Sequence, residues 1–287
     1  MDARLAQVLA CPNCGGVLDE SGDTLRCRDH GCEFKVEHSI PILIERKEPT
    51  GNFDYLTHYT LDSEQFDYFE ERTGATAHSE RRLREYVLSL IPSESKSILD
   101  VGCGSAWVAK AFQHSGKFVC SLDVSIVNPK KAIERYPSPD HVAIVADSYR
   151  LPFRDGSFDA IVAAEIIEHL HDPKVFAEEL MRVVRPGGVV IVSTPFNERL
   201  VYEICIHCHQ PTPHNAHLHS WTKESLTSLF IDSSIRVDFY TFNNKLLLFG
   251  RTYPALRLLP FSAWKAVDGL ANTALNKPVN CILRVTR

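Results

Sequence analysis

The sequence predicts an α/β fold: a doubly wound parallel sheet with helices on both faces, preceded by a small metal-closed unit. Three observations carry this reading. Short apolar runs alternate with helical patterns from residue 97 to 194, as a parallel sheet with crossover helices requires. The first run, Ile98-Leu99-Asp100-Val101, enters a helix through a glycine-rich turn, Gly102-Cys103-Gly104. Four cysteines fall in two short groups within the first 32 residues.

The N-terminal unit is read as residues 1–46. Its spacing is Cys11-x2-Cys14-x12-Cys27-x4-Cys32. Two facing cysteine knuckles of this kind close a tetrahedral thiolate site, which lets so small a segment stay folded around Zn2+. His30 offers a Cys3His variant. A closed four-ligand site leaves no position for chemistry, so the metal is expected to be structural.

Residues 47–95 lead into the core. Glu48-Pro49-Thr50-Gly51 reads as a linker, and an aromatic stretch follows through Phe53, Tyr55, Tyr59, Phe66, Tyr68 and Phe69. Tyr55 and Tyr59 are carried as candidate substrate contacts, the rest as packing. Ser79 to Leu90 has helical periodicity and stops at Pro92.

The main domain is read as residues 96–287. In the 102–104 turn one glycine permits the bend and the other lets a ligand approach bare backbone. The second strand, Phe118 to Leu122, ends in Asp123, an acid placed to accept hydrogen bonds from a ribose diol. The third, His141 to Ala146, ends in Asp147-Ser148. A dinucleotide fingerprint would need glycine where Trp107 stands, so NAD fits poorly. Phe158 to Ala164 is the fourth strand. A helix then runs to about Val184, closed by Pro186-Gly187-Gly188, and Val189 to Ser193 is the fifth. Thr222 to Phe230 reads as a capped helix, Ile235 to Phe242 as a sixth strand and Asn280 to Thr286 as a closing antiparallel strand. Residues 243–279 between them form an apolar and basic insert, with Lys245, Arg251, Arg257, Lys265 and Lys277 against the single acid Asp268. It is expected to pack on the core; the alternative is peripheral contact with an anionic membrane.

Two segments carry candidate chemistry. Glu165, Glu168 and His169 follow the fourth strand, and on a helical turn they would share one face. His169 is the leading general base, with Glu165 next and Glu168 as a further catalytic candidate. Downstream, CIHCHQPTPHNAHLHSWT has three readings. It could build a second zinc site from Cys205, Cys208 and two histidines, send His217 or His219 into the acceptor pocket, or bind nothing.

The strings DVGCGSAW, LDVS, ADSYRLPFRDGSFD and RVVRPGGVVIVSTP, in that order, resemble the class I S-adenosylmethionine-dependent methyltransferases over roughly residues 80–240. The resemblance implies a Rossmann-like seven-stranded sheet. It also implies S-adenosylmethionine held by Asp100, Gly102, Gly104, Asp123, Asp147, Ser148 and Glu165. Ala106 departs from the family, which usually has glycine there, and its methyl is expected to tighten the approach of the methionine moiety. The string EIIEHL resembles the ubiquinone-biosynthesis O-methyltransferases and the RNA 3′-end 2′-O-methyltransferases. There the matching Glu-x-x-Glu-His binds a divalent ion, so Mg2+ or a second Zn2+ is the alternative to a base. The RNA enzymes also match His219 before Trp221-Thr222. Residues 1–46 resemble the Trm112-type zinc ribbon.

Composition narrows the partners. The 287 residues carry a net charge of −5, with a pI near 6.2, which argues against broad nucleic-acid binding. Met1-Asp2-Ala3-Arg4 does not open like a signal peptide, and no apolar run approaches a membrane span. Nine cysteines then suggest a reducing, cytoplasmic setting. The expected acceptor is a small molecule or a glycan/lipid intermediate, methylated at a hydroxyl. RNA is the alternative acceptor, and a non-catalytic partner of another methyltransferase is the second alternative.

Overall fold

The computed structural model describes residues 1–44, 54–230, 235–250 and 252–287. The Glu48-Pro49-Thr50-Gly51 linker, Phe53 and Arg251 lie outside the described residues. Helix α1 (Ala3–Val8) starts where the Asp2 carboxylate accepts from the N–H groups of Arg4 and Leu5, at 2.8 and 3.2 Å. Strands β1 (Leu18–Ser21), β2 (Thr24–Cys27) and β3 (Glu33–Glu37) form an antiparallel meander, and β4 (Ile40–Leu43) follows.

Helices α2 (Tyr55–Gln65) and α3 (Gly74–Leu90) precede the main sheet. The chain then runs β5 (Ser97–Val101), α4 (Trp107–Phe112), β6 (Phe118–Asp123), α5 (Val127–Arg135), β7 (His141–Ala146), β8 (Phe158–Ala164), α6 (Pro173–Val183) and β9 (Val184–Pro195). A small hairpin, β10 (Tyr202–Ile204) and β11 (Pro211–Pro213), leads to α7 (Lys223–Thr227). Strand β12 (Arg236–Asn244), helices α8 (Lys245–Phe249), α9 (Tyr253–Leu256) and α10 (Phe261–Ala274), and strand β13 (Pro278–Thr286) complete the chain.

The expected seven strands lie in the order β7-β6-β5-β8-β9-β13-β12, all running in one direction except β13, which is antiparallel to both β9 and β12. Strand order reverses between β5 and β8, which opens a crevice at their carboxyl ends. Alternate residues serve opposite faces: Leu99 and Ile161 join one core cluster, Ile98 and Val162 the other. The first cluster is roofed by Phe176 and Leu180 of α6, the second by Val87 of α3 and Ala132 of α5.

Beyond β7 the sheet continues into the N-terminal unit. β4 pairs in parallel with β7, Ile42 beside Val145 and Leu43 beside Ala146. Leu5, Leu9, Leu25 and Leu43 share a buried cluster with Leu122, Ile144 and Phe153. The N–H of Ala10 donates to Pro152 O at 2.9 Å, and the N–H of Arg154 donates to Val8 O at 2.8 Å.

One boundary differs from expectation. Pro186-Gly187-Gly188 does not close the helix; it lies inside β9, which is twelve residues long. The N–H of Gly187 donates to Arg287 O at 2.7 Å, and that of Arg287 donates to Gly188 O at 3.0 Å. Pairing with the C-terminus therefore supplies partners to a segment that local chemistry marks as a turn.

The insert packs on α3. The guanidinium of Arg82 lies over the Trp264 ring at 5.1 Å and donates to the carbonyls of Leu256 and Leu259 at 2.7 and 2.8 Å. Buried Asp268 accepts from the N–H groups of Asn243 and Asn244 at 3.0 and 2.7 Å. The single acid of the insert is thus a structural cap for the end of β12. No helix among the described residues is long and apolar enough to cross a membrane.

Candidate active site

A cavity of about 480 Å³ occupies the crevice at the strand reversal, within the range expected for a small-molecule site. At one end lie Gly102, Gly104, Asp123, Asp147 and Ser148; at the other lie Glu165 and His169. Tyr55 and Tyr59 of α2 line it as expected, and His58, Asp62, Ser63 and Tyr68 join them.

Gly102 and Gly104 take left-handed conformations, with φ of 68° and 45°. A Cβ at Gly102 would stand 2.9 Å from Ile166 Cδ1, and one at Gly104 would stand 3.4 Å from the Tyr68 ring. At Gly102 the end of the Ile166 side chain would have to shift and at Gly104 the contact would be ordinary, so it is chiefly the left-handed backbone that calls for glycine at both. The Asp123 carboxylate accepts from Gly104 N–H at 3.4 Å, Asn128 Nδ2 at 3.1 Å and Ser125 N–H at 3.2 Å. Burial nonetheless holds it above the usual carboxylate range. Asp147 accepts from Tyr55 Oη at 2.5 Å and from Tyr149 N–H at 2.9 Å.

Asp100 sits beneath the turn and is not part of the cavity wall. Its Oδ2 is buried without a hydrogen-bond partner, and burial pushes its pKa well up. Ala106 also differs from expectation. It adopts φ 50°, and its methyl packs in the core with Val108 and Ala109 rather than facing the cavity. The departure from glycine thus places a non-glycine residue in the left-handed region, at a cost of about 1–2 kcal/mol, and does not narrow the site.

The segment after β8 is not a helical turn. Glu165 has φ 54°, and only Ile167–His169 coil, as a single 3-10 turn. Glu165 is consequently outside the donor group that Glu168 and His169 form and lines the cavity, with Oε1 accepting from Ser193 Oγ at 3.1 Å. Burial raises its pKa to about 7. Glu168 is fully buried, accepts from Thr194 Oγ1 at 3.0 Å, and is pushed well above the carboxylate range by burial and by Glu165. His169 Nδ1 is 3.2 Å from Ala216 O, and burial, then nearby His217, lowers its pKa to about 4.

The donor atoms that do come together belong to Glu168, His169 and His217, within 4.8 Å of one another. The His217 ring meets His169 edge-on at 4.9 Å, and its Nδ1 is 2.6 Å from Glu198 Oε2. His219 is directed elsewhere: its Nε2 is 2.8 Å from Leu170 O and its ring lies against Trp221. The resemblance singles out His219, but the structure brings His217 to the cluster instead. The choice is set by the backbone, where Leu218 and His219 N–H both donate to Glu168 O.

In the N-terminal unit, Cys11 Sγ is 3.5 Å from Cys32 Sγ and Cys14 Sγ is 3.5 Å from Cys27 Sγ. Burial pushes Cys11 up to about 12, while the N–H groups of His30 and Asp29 hold Cys27 near 7. His30 is exposed and outside this cluster. The thiols of Cys11, Cys14 and Cys27 lie within 4.8 Å of one another and Cys32 adjoins Cys11, a donor set that suits one tetrahedral ion. Cys205 and Cys208 stand at the tip of the β10–β11 hairpin, and the N–H groups of Cys208 and His207 lower the Cys205 thiol below its ordinary value. Among the described residues, no third metal donor joins these two.

Comparison with known proteins places a methyltransferase domain family model on residues 99–192. A 2-methyl-6-phytyl-1,4-hydroquinone methyltransferase from Synechocystis is 40% identical over 106 residues, 36% of this chain and 33% of that protein. A demethylmenaquinone methyltransferase from Renibacterium salmoninarum is 32% identical over 114 residues, 39% and 47% of the two chains. A ubiquinone biosynthesis O-methyltransferase from Parvibaculum lavamentivorans is 28% identical over 151 residues, 51% and 56%. The chain thus spans between a third and somewhat over half the length of these curated relatives.

Among solved structures, an S-adenosylmethionine-dependent methyltransferase from Mesorhizobium loti superposes with a TM-score of 0.53. It is 16% identical, covering 73% of this chain and all of that one. The [4+2]-cyclase SpnF superposes at 0.54 with 19% identity, covering 81% and 92%. The fold is therefore the Rossmann-like methyltransferase fold, and the cyclase illustrates that such a fold does not by itself fix the reaction.

Proposed function

We propose that this chain is an S-adenosylmethionine-dependent methyltransferase that methylates a hydroxyl of a small, largely apolar acceptor, a quinol or a related glycan/lipid intermediate. The observation that carries the reading is one cavity with a nucleoside-type cradle at one end and buried acid/base groups at the other. Three of the relatives are named for hydroquinone, menaquinone or ubiquinone chemistry, which supports an aromatic acceptor with an apolar tail. Exposed leucines on the insert, Leu258, Leu270 and Leu275 among them, suit peripheral contact with a membrane that holds such an acceptor.

The residues present fit the cofactor. Among the described residues Asp123 has no cationic partner, and it has acceptor capacity left for a ribose diol, while Tyr55 fixes Asp147 at the neighbouring strand end. Tyr68 closes over Gly104. When bound, the cofactor supplies a methyl group already activated on a sulfonium, so the protein's task is chiefly to place the acceptor.

His169 is neutral at pH 7, with its Nδ1 proton directed at Ala216 O. That leaves Nε2 as the basic atom, free to take the acceptor's hydroxyl proton. Glu165, near 7, holds either a hydrogen-bond donor or an acceptor toward the same space. A divalent ion on Glu168, His169 and His217 is the competing arrangement. In the ribbon, Zn2+ held by Cys11, Cys14, Cys27 and Cys32 would close the fold and supply no chemistry.

Labelled S-adenosylmethionine offered with separate RNA, protein, lipid and small-metabolite fractions tests the reading. Label in the small-molecule or lipid fraction, insensitive to EDTA and lost in His169→Ala, is expected. Label in RNA overturns the acceptor class, and turnover abolished by EDTA and restored by Mg2+ overturns the metal-free base.

A further inference from the structure

Three cysteine turns in this chain share one backbone frame. In each, the N–H of the first cysteine donates to the carbonyl five residues on. The N–H of the residue four on donates back to the first cysteine's carbonyl. For Cys11 these bonds reach Gly16 O at 2.9 Å and come from Gly15 at 2.8 Å; for Cys27 they reach Cys32 O at 2.8 Å and come from Gly31 at 2.9 Å. For Cys205 they reach Gln210 O at 3.0 Å and come from His209 at 2.9 Å. The fourth residue is left-handed each time, Gly15 at φ 75°, Gly31 at 67° and His209 at 57°.

In the ribbon this frame aims thiols at a common point, where the two knuckles face each other. At residues 205–210 the same frame exists without a facing knuckle. The sequence places the second thiol, Cys208, three residues after the first, as Cys14 follows Cys11. A non-glycine residue in the left-handed region is unfavourable, so His209 maintains the frame where glycine would do so more easily. The turn is at the tip of the hairpin, Cys208 is exposed, and Ile206 and Ile204 between and beside the thiols are 95% and 64% exposed. Among the described residues, no third donor completes the set.

We infer that Cys205 and Cys208 are half of a zinc site completed by the same two cysteines of a second copy of this chain. A two-fold axis through the ion generates four sulfur ligands in the tetrahedral arrangement zinc prefers, and makes the contact self-complementary and closed. Four thiols give up their protons to solvent as one Zn2+ is bound, with no redox change. The same contact covers Ile204, Ile206 and Tyr202, exposed apolar side chains that a lone hairpin leaves in water. Thr212 and Pro213, at the other side of the hairpin, line the cavity wall.

The test is metal content and mass of the full chain, measured together under a thiol-protecting phosphine reductant so that no disulfide contributes. Wild-type protein at tens of micromolar should be a dimer with about 1.5 zinc ions per chain, one in each ribbon and one shared. Cys205→Ser/Cys208→Ser should be a monomer with about one zinc per chain and an unchanged affinity for S-adenosylhomocysteine. Cobalt substitution should add a four-sulfur charge-transfer band that the double variant loses in part. A zinc-loaded wild-type monomer, a dimer that survives the double substitution, or two zinc ions per monomeric chain would each overturn the inference. A wild-type dimer with about half a zinc per chain would sustain the clasp and remove the metal from the ribbon instead.

Discussion

The two ends of the cavity are made of different materials. The end proposed for the cofactor is built from strand termini: Gly102 and Gly104 after β5, Asp123 ending β6, Asp147 and Ser148 after β7. Backbone N–H groups fix its carboxylates, and each residue is within a few positions of a buried strand. The end proposed for the acceptor draws on α2 for Tyr59, the 3-10 turn for His169, the segment after β9 for Glu198 and the segment after β11 for His217. The first end is a property of the sheet, while the second depends on how four connections meet.

The sharpest way to break this contrast is to remove the support of the cofactor end. Its outer strand, β7, is flanked by β4, and the loop after it is tied to Val8 and Ala10. In Cys11→Ser, loss of the proposed structural ion, worth on the order of 10 kcal/mol to a small zinc unit, should release metal and unfold residues 1–44. Hydrogen exchange should then rise at residues 145–154 as well, while amides of β9 and β13 stay protected. Protection unchanged at 145–154 would show that the strand pairing contributes nothing there.

The acceptor end should be visible in the pH dependence of stability. Glu165 is raised to about 7, so the folded state binds its proton more tightly, and stability falls as pH rises from about 4.5 to 7. His169 is lowered to about 4, so the unfolded state binds its proton more tightly, and stability is lost as pH falls from about 6.5 to 4. Each contributes about 3 kcal/mol at most, with opposite signs where the windows overlap. Glu168 acts in the direction of Glu165. Relative to wild type between pH 4.5 and 6.5, Glu165→Gln should tilt denaturant-derived stability upward with pH, and His169→Gln should tilt it downward. Parallel curves for all three proteins would show that neither group is held as buried as the geometry requires.

A smaller effect belongs to the cofactor end itself. Asp123→Ala should weaken S-adenosylhomocysteine binding by about 1–3 kcal/mol, as for a buried partner left unpaired, with little change in the pH curves. Smaller still, Tyr55→Phe removes one hydroxyl bond to Asp147 and should cost about 0.5–1.5 kcal/mol of that affinity. An effect of Tyr55→Phe larger than that of Asp123→Ala would invert the assigned order.

The difference between the ends also explains what the sequence makes legible. The seven strands, the glycine turn and the acids at strand ends follow from apolar runs and local turn chemistry, because both faces of a parallel strand are buried. Glu165 was not legible as it stands, since a left-handed glutamate is fixed by its N–H to Ser193 O and not by any local preference. The same holds for Pro186-Gly187-Gly188, whose turn signal is overridden by pairing with the C-terminus. His217 and His219 are two residues apart in a segment without periodicity, so only the contact with Glu168 separates them. The extension of the sheet by β4 likewise rests on pairing across a hundred residues.

Titration calorimetry of the full chain with S-adenosylhomocysteine tests the central claim most directly. The account predicts one equivalent bound per chain, with affinity reduced in Asp123→Ala and retained in Cys205→Ser/Cys208→Ser. A folded wild-type protein that takes up no S-adenosylhomocysteine, or one that binds it equally well without the Asp123 carboxylate, would contradict it.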